Sequence, residues 1–255
     1  MYFAYFTKNK ILKITTLILA VLTLMVFLEH SKYYQVFYGY GARKLPIYRV
    51  KTEQKVVAIS FDCAWGVDYT DKLLQIMQEE KVNCTFFTVE FWAKKHPDYL
   101  KKISDAGHEI GTHSATHPYM SKLSRDAIVR ELTTSTMAIE QVTGKKVELF
   151  RPPYGDYNDQ LIEVAGELGL FTIQWDVDSL DWKDLSATEI SNRVISKVKN
   201  GSIVLFHNQG LHTHESLRNI IRTLKDKGYQ FLPIGEMIYR KDYKILTDGT
   251  QALNL

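Results

Sequence analysis

From Lys55 to residue 234 the chain repeats one pattern: a short run of β-branched and aromatic residues, then a longer stretch with apolar residues three and four apart. Such alternation dictates an α/β fold, because a strand covered on both faces by helices reads as a continuous apolar run. Seven runs qualify, over residues 56–61, 84–89, 108–112, 149–151, 170–175, 202–206 and 230–234. The helical stretches between them include residues 70–80, 124–142, 159–168 and 187–199, the second opened by Ser124 as an N-cap. Gly107, Gly144, Gly169, Gly201 and Gly228 fall where helices should stop and strands begin. Right-handed crossovers then give a parallel sheet, and at this length a closed or nearly closed barrel is the economical arrangement.

In such a barrel the chemistry gathers at the C-terminal ends of the strands. Those ends carry Asp62-Cys63, Glu90, residues 113–117, Pro152-Pro153-Tyr154-Gly155, residues 176–182 and His207-Asn208. The densest stretch, residues 107–118, holds three histidines and two glycines. A spacing of four lets a helical turn or tight loop aim His113 and His117 at one metal ion, with a carboxylate from elsewhere and an open position for water. The same spacing also arises by chance on solvated helix faces. Asp62 follows a wholly apolar strand, where a carboxylate is costly unless paired or in use; a solvated loop aspartate is the plain alternative. His207, after the apolar run 203–206, reads either as an acid or as a structural histidine held by hydrogen bonds. Base, acid and metal together would equip the rim for metal-assisted hydrolysis of an acyl group.

A hydrophobic content of 45% supports a sizeable core. Charge is uneven: residues 1–55 hold nine Lys/Arg against Glu29 and Glu53, while the remainder holds 23 basic and 27 acidic residues. That mildly acidic body excludes a nucleic-acid footprint. Residues 14–28 are apolar and follow Lys8, Lys10 and Lys13, and counted from Ile11 the run is long enough to span a membrane. No small-x-small cleavage pattern follows, so a retained anchor is favoured over a cleaved signal, with the lysines inside and the body outside. Cys63 ends one predicted strand and Cys84 begins its neighbour, which places the sulfurs a strand length apart, beyond disulfide reach.

The rim motifs resemble those of the polysaccharide deacetylases, the NodB-homology group or carbohydrate esterase family 4, over roughly residues 56–237. The resemblance implies a distorted (β/α)7-type barrel, here behind an N-terminal transmembrane helix. Ser60-Phe61-Asp62 is similar to the first motif, implying Asp62 as catalytic base. His113-Ser114-Ala115-Thr116-His117 matches the second, whose histidines bind the metal, and Arg151-Pro152-Pro153-Tyr154-Gly155 the third, in which Arg151 holds the base and Tyr154 lines the groove. Asp178-Ser179-Leu180-Asp181-Trp182 resembles the fourth, implying that Asp181 tunes the acid and Trp182 forms a wall. Leu205-Phe206-His207 matches the fifth, with Leu205 in the acetyl pocket and His207 as general acid. One position departs: the usual first motif has two aspartates, the second a metal ligand, and this chain has Cys63. A thiolate is a good zinc ligand, so Cys63 is a candidate third ligand; the alternative is weak binding through two histidines and water. Trp65-Gly66 after the first motif resembles the sporulation-type members, some of which also lack the second aspartate.

What the resemblance implies is N-deacetylation of cell-wall glycan, peptidoglycan or spore cortex, with a divalent cofactor, zinc or an ion such as cobalt. The alternatives are a weak or inactive glycan-binding protein on the same fold, and an O-acetyl esterase using the same site. The expected organisation is an anchor over residues 1–30, a connector over 31–54, a deacetylase domain over 55–240 and a tail over 241–255. The partners are glycan and membrane, without nucleic acid. A monomer is expected at the cell membrane with its domain outside the cytoplasm, forespore-associated, or secreted if the anchor is cut. His212 and His214 read as a loop into a helix capped by Thr213 in preference to a second metal site. The tyrosine-rich residues 33–48 suit a lipid interface.

Overall fold

A computed structural model describes residues 8–38 and 43–254. Residues 1–7 of the expected anchor, 39–42 of the connector and 255 of the tail lie outside the described residues. Helix α1 (Lys8–Tyr38) contains Leu12–Glu29, a segment long and apolar enough to cross a membrane. It runs on through residues 31–38, the first part of the expected connector.

The second unit, Lys44–Leu255, carries the remaining elements. First come β1 (Arg49–Val50), β2 (Val56–Cys63), α2 (Thr70–Glu80), β3 (Thr85–Thr88), α3 (Glu90–Lys95), α4 (Pro97–Asp105) and β4 (Glu109–Thr112). Then follow α5 (Arg125–Thr143), β5 (Leu149–Phe150), α6 (Asp159–Glu167), β6 (Phe171–Thr172), β7 (Val177–Asp178), α7 (Ala187–Lys197) and β8 (Ser202–His207). The chain finishes through α8 (Thr213–Asp226), β9 (Gln230–Phe231), α9 (Ile234–Met237), β10 (Tyr243–Ile245) and β11 (Thr250–Leu253).

Each of the seven predicted runs contains a strand, and β8, β2, β3, β4, β5 and β6 lie side by side, all parallel. Short β9 and β7 add in parallel to β2 and β8. The sheet curls back on itself through residues 47–50. Ile47 bridges Ile173 just past β6, and Arg49 of β1 then pairs with Ser202 of β8. The result is the distorted, nearly closed α/β barrel that the alternation predicts.

Four strands were not legible as runs. Residues 44–54 and 241–254, expected as connector and tail, belong in part to the sheet: β11 pairs with β1 and β10 with β11. These strands are two to four residues long and carry Arg49, Lys244 and Gln251, too short and too polar to show a period. At the turn into β8, Gly201 adopts φ +75°, and a Cβ there would stand 1.9 Å from the Val50 carbonyl oxygen. Only glycine permits that approach of β1 to the barrel.

Alternate residues of β2 divide between two apolar clusters. Val57, Ile59, Phe61 and Cys63 join the helices' Leu73, Met77, Leu132 and Leu217, whereas Val56 and Ala58 join Phe87, Leu149, Ile173 and Ile203 inside the curl. Phe61 stacks on Phe86 and Phe206 at 5.0 and 5.7 Å, and burying each ring stabilises the fold by roughly 2 to 3 kcal/mol. Ser124 caps α5 as expected, its hydroxyl accepting from Ala127 N. Cys63 and Cys84 are free and buried at opposite ends of the β2–β3 pair.

His108, buried just before β4, accepts a hydrogen bond from Cys84 N at 3.3 Å. Burial, then the nearby Lys145 charge, lowers its pKa from 6.5 to about 4, so the fold holds it neutral. Between those values the unfolded chain binds a proton that the folded chain refuses, so this residue's contribution is present above pH 6.5 and lost as the pH falls to about 4. The full effect is on the order of 3 kcal/mol. Thermal melts across that window should show a Tm falling with acid, and His108→Gln should flatten the slope.

Candidate active site

Ser60 and Asp62 sit two residues apart on β2 and so share a face. Beneath them Arg151, fully buried just after β5, donates from Nη1 to Asp62 Oδ1 at 2.9 Å and from Nη2 to Ser60 Oγ at 2.8 Å. Its guanidinium lies 4.2 Å from the Phe87 ring centroid, and Ser60 Oγ donates in turn to the Val204 carbonyl. Burial by itself would raise the Asp62 pKa, but His113, Arg151 and His207 outweigh it and hold the carboxyl below the ordinary range. Burial also pushes Arg151 down, yet a guanidinium starts so far above neutrality that it stays charged.

Residues 113–117 form a tight loop and not a helix, turned by left-handed Ser114 (φ 73°) and His117 (φ 60°). Glu131 of α5 holds the loop by accepting from Ala115 N, Thr116 N and the Thr116 hydroxyl. The His113 ring donates from Nδ1 to the Arg151 carbonyl at 2.7 Å, which leaves Nε2 as an acceptor 3.5 Å from Asp62 Oδ2. The two imidazoles stand with centroids 5.0 Å apart. Burial lowers both, His117 to about 4, so both are neutral near pH 7, and His117 Nδ1 is buried without a hydrogen-bond partner.

Across the groove Asp181, fully buried, accepts at Oδ1 from His207 Nδ1 and at Oδ2 from His207 N, both at 2.8 Å. Burial pulls His207 down, but Asp181, then Asp62 and Asp178, raise it above its ordinary value. Thr213 also donates to Asp181 Oδ2, at 2.6 Å. This corrects its expected role as a cap: Thr213 is already inside α8, His212 precedes the helix, and the hydroxyl serves Asp181 instead. Asp62 and His207 are register partners on adjacent strands, so carboxylate and imidazole flank one floor.

Asp62, His113, His117, Tyr154, Asp181, Trp182, Leu205 and His207 all line one groove of about 700 Å³. Trp65, Trp175, Asp178 and Asp184 line it too. Nothing in the sequence marks Trp175 or Glu131 for the site, since each matters through a partner distant in the chain. Trp65 is 64% exposed and leans on Phe91, its loop held by Asn208 Nδ2 donating to the carbonyls of Trp65 and Gly66.

The two neutral imidazoles are in the right state to bind a metal, and a third donor decides whether they form a cage. Cys63 has no exposed surface and packs in the cluster of Phe61, Phe86 and Trp92; it is absent from the groove lining, although Asp62 and Ala64 on either side belong to it. Its side chain therefore faces the helix-side core and not the two imidazoles, and burial, then Asp62 and Cys84, pushes the thiol well above the ordinary range. Among the described residues no three His, Cys, Asp or Glu side chains are grouped to hold a metal ion. The residues present therefore do not fit the family's metal, and the site retains the Asp62–Arg151 and His207–Asp181 pairs.

A polysaccharide deacetylase family model matches residues 49–173. The chain is 38% identical over 193 residues to YlxY, an uncharacterized Bacillus subtilis protein, covering 76% of this chain and 60% of that one. It is 32% identical to a peptidoglycan-N-acetylglucosamine deacetylase of Bacillus cereus, over 76% of this chain and 93% of the relative. Among solved structures it is similar to BA3943 of Bacillus anthracis, described as a CE4 family pseudoenzyme, at 38% identity and TM-score 0.73, over 75% of this chain and 68% of that one. A BA3943 mutant with restored enzymatic activity aligns with TM-score 0.74. The barrel, the groove and these relatives agree: the chain belongs to the polysaccharide deacetylase family.

Proposed function

We propose that this protein binds N-acetylated cell-wall glycan in its groove and does not deacetylate it. The observation that carries the reading is Cys63: where the family motif places a metal-binding carboxylate, this chain buries a protonated thiol in its core. The groove otherwise keeps what holds a sugar. Asp62 accepts from an amide N–H or hydroxyl, His207 donates from Nε2 to an acetyl carbonyl, and Leu205 receives the methyl group. Exposed Trp65, Tyr154 and Trp182 offer ring faces to the apolar faces of sugars. Asp178 and Asp184 on the lining favour uncharged saccharides over anionic ones. Helix α1 anchors the chain in the membrane, with the groove on the outer side facing peptidoglycan, on which the named Bacillus cereus relative acts.

The intact Asp62–Arg151 and Asp181–His207 pairs favour a second reading, residual deacetylation. One experiment separates them. The full chain in detergent, supplied with zinc, is titrated with a β-1,4-linked N-acetylglucosamine tetramer and incubated with peptidoglycan. The expected result is saturable binding, weakened about tenfold in Trp182→Ala by loss of a stacking contact, with acetate at the blank level. Acetate release that disappears in Asp62→Asn overturns the proposal in favour of turnover.

A further inference from the structure

At the edge of the groove two aromatic rings stand exposed together. Tyr154 lines the groove and meets His117 edge-on at 4.6 Å, while Tyr119, which is not part of the lining, stacks on Tyr154 at 4.4 Å with planes 20° apart. Tyr119 is 50% exposed and Tyr154 58%, so packing does not explain the pair. The arrangement is built and held. Tyr154 occupies left-handed backbone at φ 59°, a conformation that is costly for an aromatic residue and is maintained only where the surroundings enforce it. Asp156 accepts from both Ser121 N and Ser121 Oγ, at 2.8 and 2.7 Å, and Asn158 Nδ2 donates to Ser121 O at 2.9 Å. Three bonds thus rivet the Tyr119 loop to the Tyr154 loop. Lys122 places its ammonium 4.7 Å from the Tyr119 centroid and steadies the outer ring.

A rigid aromatic step leading out of a sugar-sized groove suits the next saccharide of a polymer, because a fixed ring binds a sugar face at little entropic cost. We infer that Tyr119 and Tyr154 form an outer glycan subsite, so that the protein selects extended strands over isolated saccharides. This rests on the glycan-binding reading above.

The test is calorimetric titration of the full chain in detergent micelles with β-1,4-linked N-acetylglucosamine disaccharide and hexasaccharide. The hexasaccharide should bind at least about tenfold tighter. Tyr119→Ala should lower hexasaccharide affinity about tenfold and leave the disaccharide within about twofold, while Tyr119→Phe, which keeps the ring, should behave as the parent. Equal losses for both sugars, or no loss for either, would overturn the subsite. If the parent chain binds neither sugar, the glycan-binding reading itself fails, and the subsite with it.

Discussion

Replacing Cys63 by aspartate is expected to give the chain both a metal and an activity. The substitution restores the second aspartate of the family's first motif and exchanges a thiol for a longer carboxyl donor. Beside it, His113 and His117 are already neutral and set by Arg151 O and the Glu131 loop, so only the third donor has to be supplied. The cost is a carboxylate in an apolar cluster, which destabilises the metal-free variant by about 1 to 3 kcal/mol and should itself be reversed by zinc. Acetate release from peptidoglycan should rise from the blank level by roughly 100-fold or more. Tm should increase on adding zinc to the variant and stay unchanged in the parent. A mutant of BA3943, which is 38% identical to the present chain, is described as a CE4 family pseudoenzyme with restored enzymatic activity.

The second large effect concerns stability. Arg151→Met should cost about 3 to 5 kcal/mol, because Asp62 would remain buried and ionised without its counter-charge while Ser60 loses its donor. Arg151→Lys should recover little of this, since one ammonium cannot donate to Asp62, Ser60 and the Gln174 carbonyl in the fork geometry of a guanidinium. Adding Asp62→Asn to Arg151→Met removes the stranded charge. The double variant should therefore be more stable than Arg151→Met alone, a non-additivity measurable by chemical denaturation.

Much of this molecule is legible in its sequence because the long strands are buried on both faces. The run ending at Phe61 reads as a barrel strand, and Asp62 after it stands out as a charge in an apolar place. His113 and His207 stand out by spacing and position after apolar runs, whereas Arg151 and Asp181 are marked only by the resemblance of their short motifs to those of the family. What was not legible depends on contacts between distant segments. Nothing in Arg49-Val50 or Gln251 signals a strand, since each pairs only after the barrel has formed. Thr213 resembles an ordinary helix cap, and its true partner Asp181 is 32 residues away. Tyr119 gains its meaning from Tyr154, which the chain bends through a left-handed conformation to meet it. At Cys63 the sequence identifies the substitution, whereas the protonation state of the thiol follows from the cluster that encloses it.

The most direct test of the account is the metal content of the unmodified full chain after equilibration with excess zinc and exhaustive dialysis. With two imidazoles and no third donor, the chain should retain far less than one zinc per molecule. One equivalent of zinc, lost in His113→Ala, would contradict the account and return the protein to the catalytic members of its family.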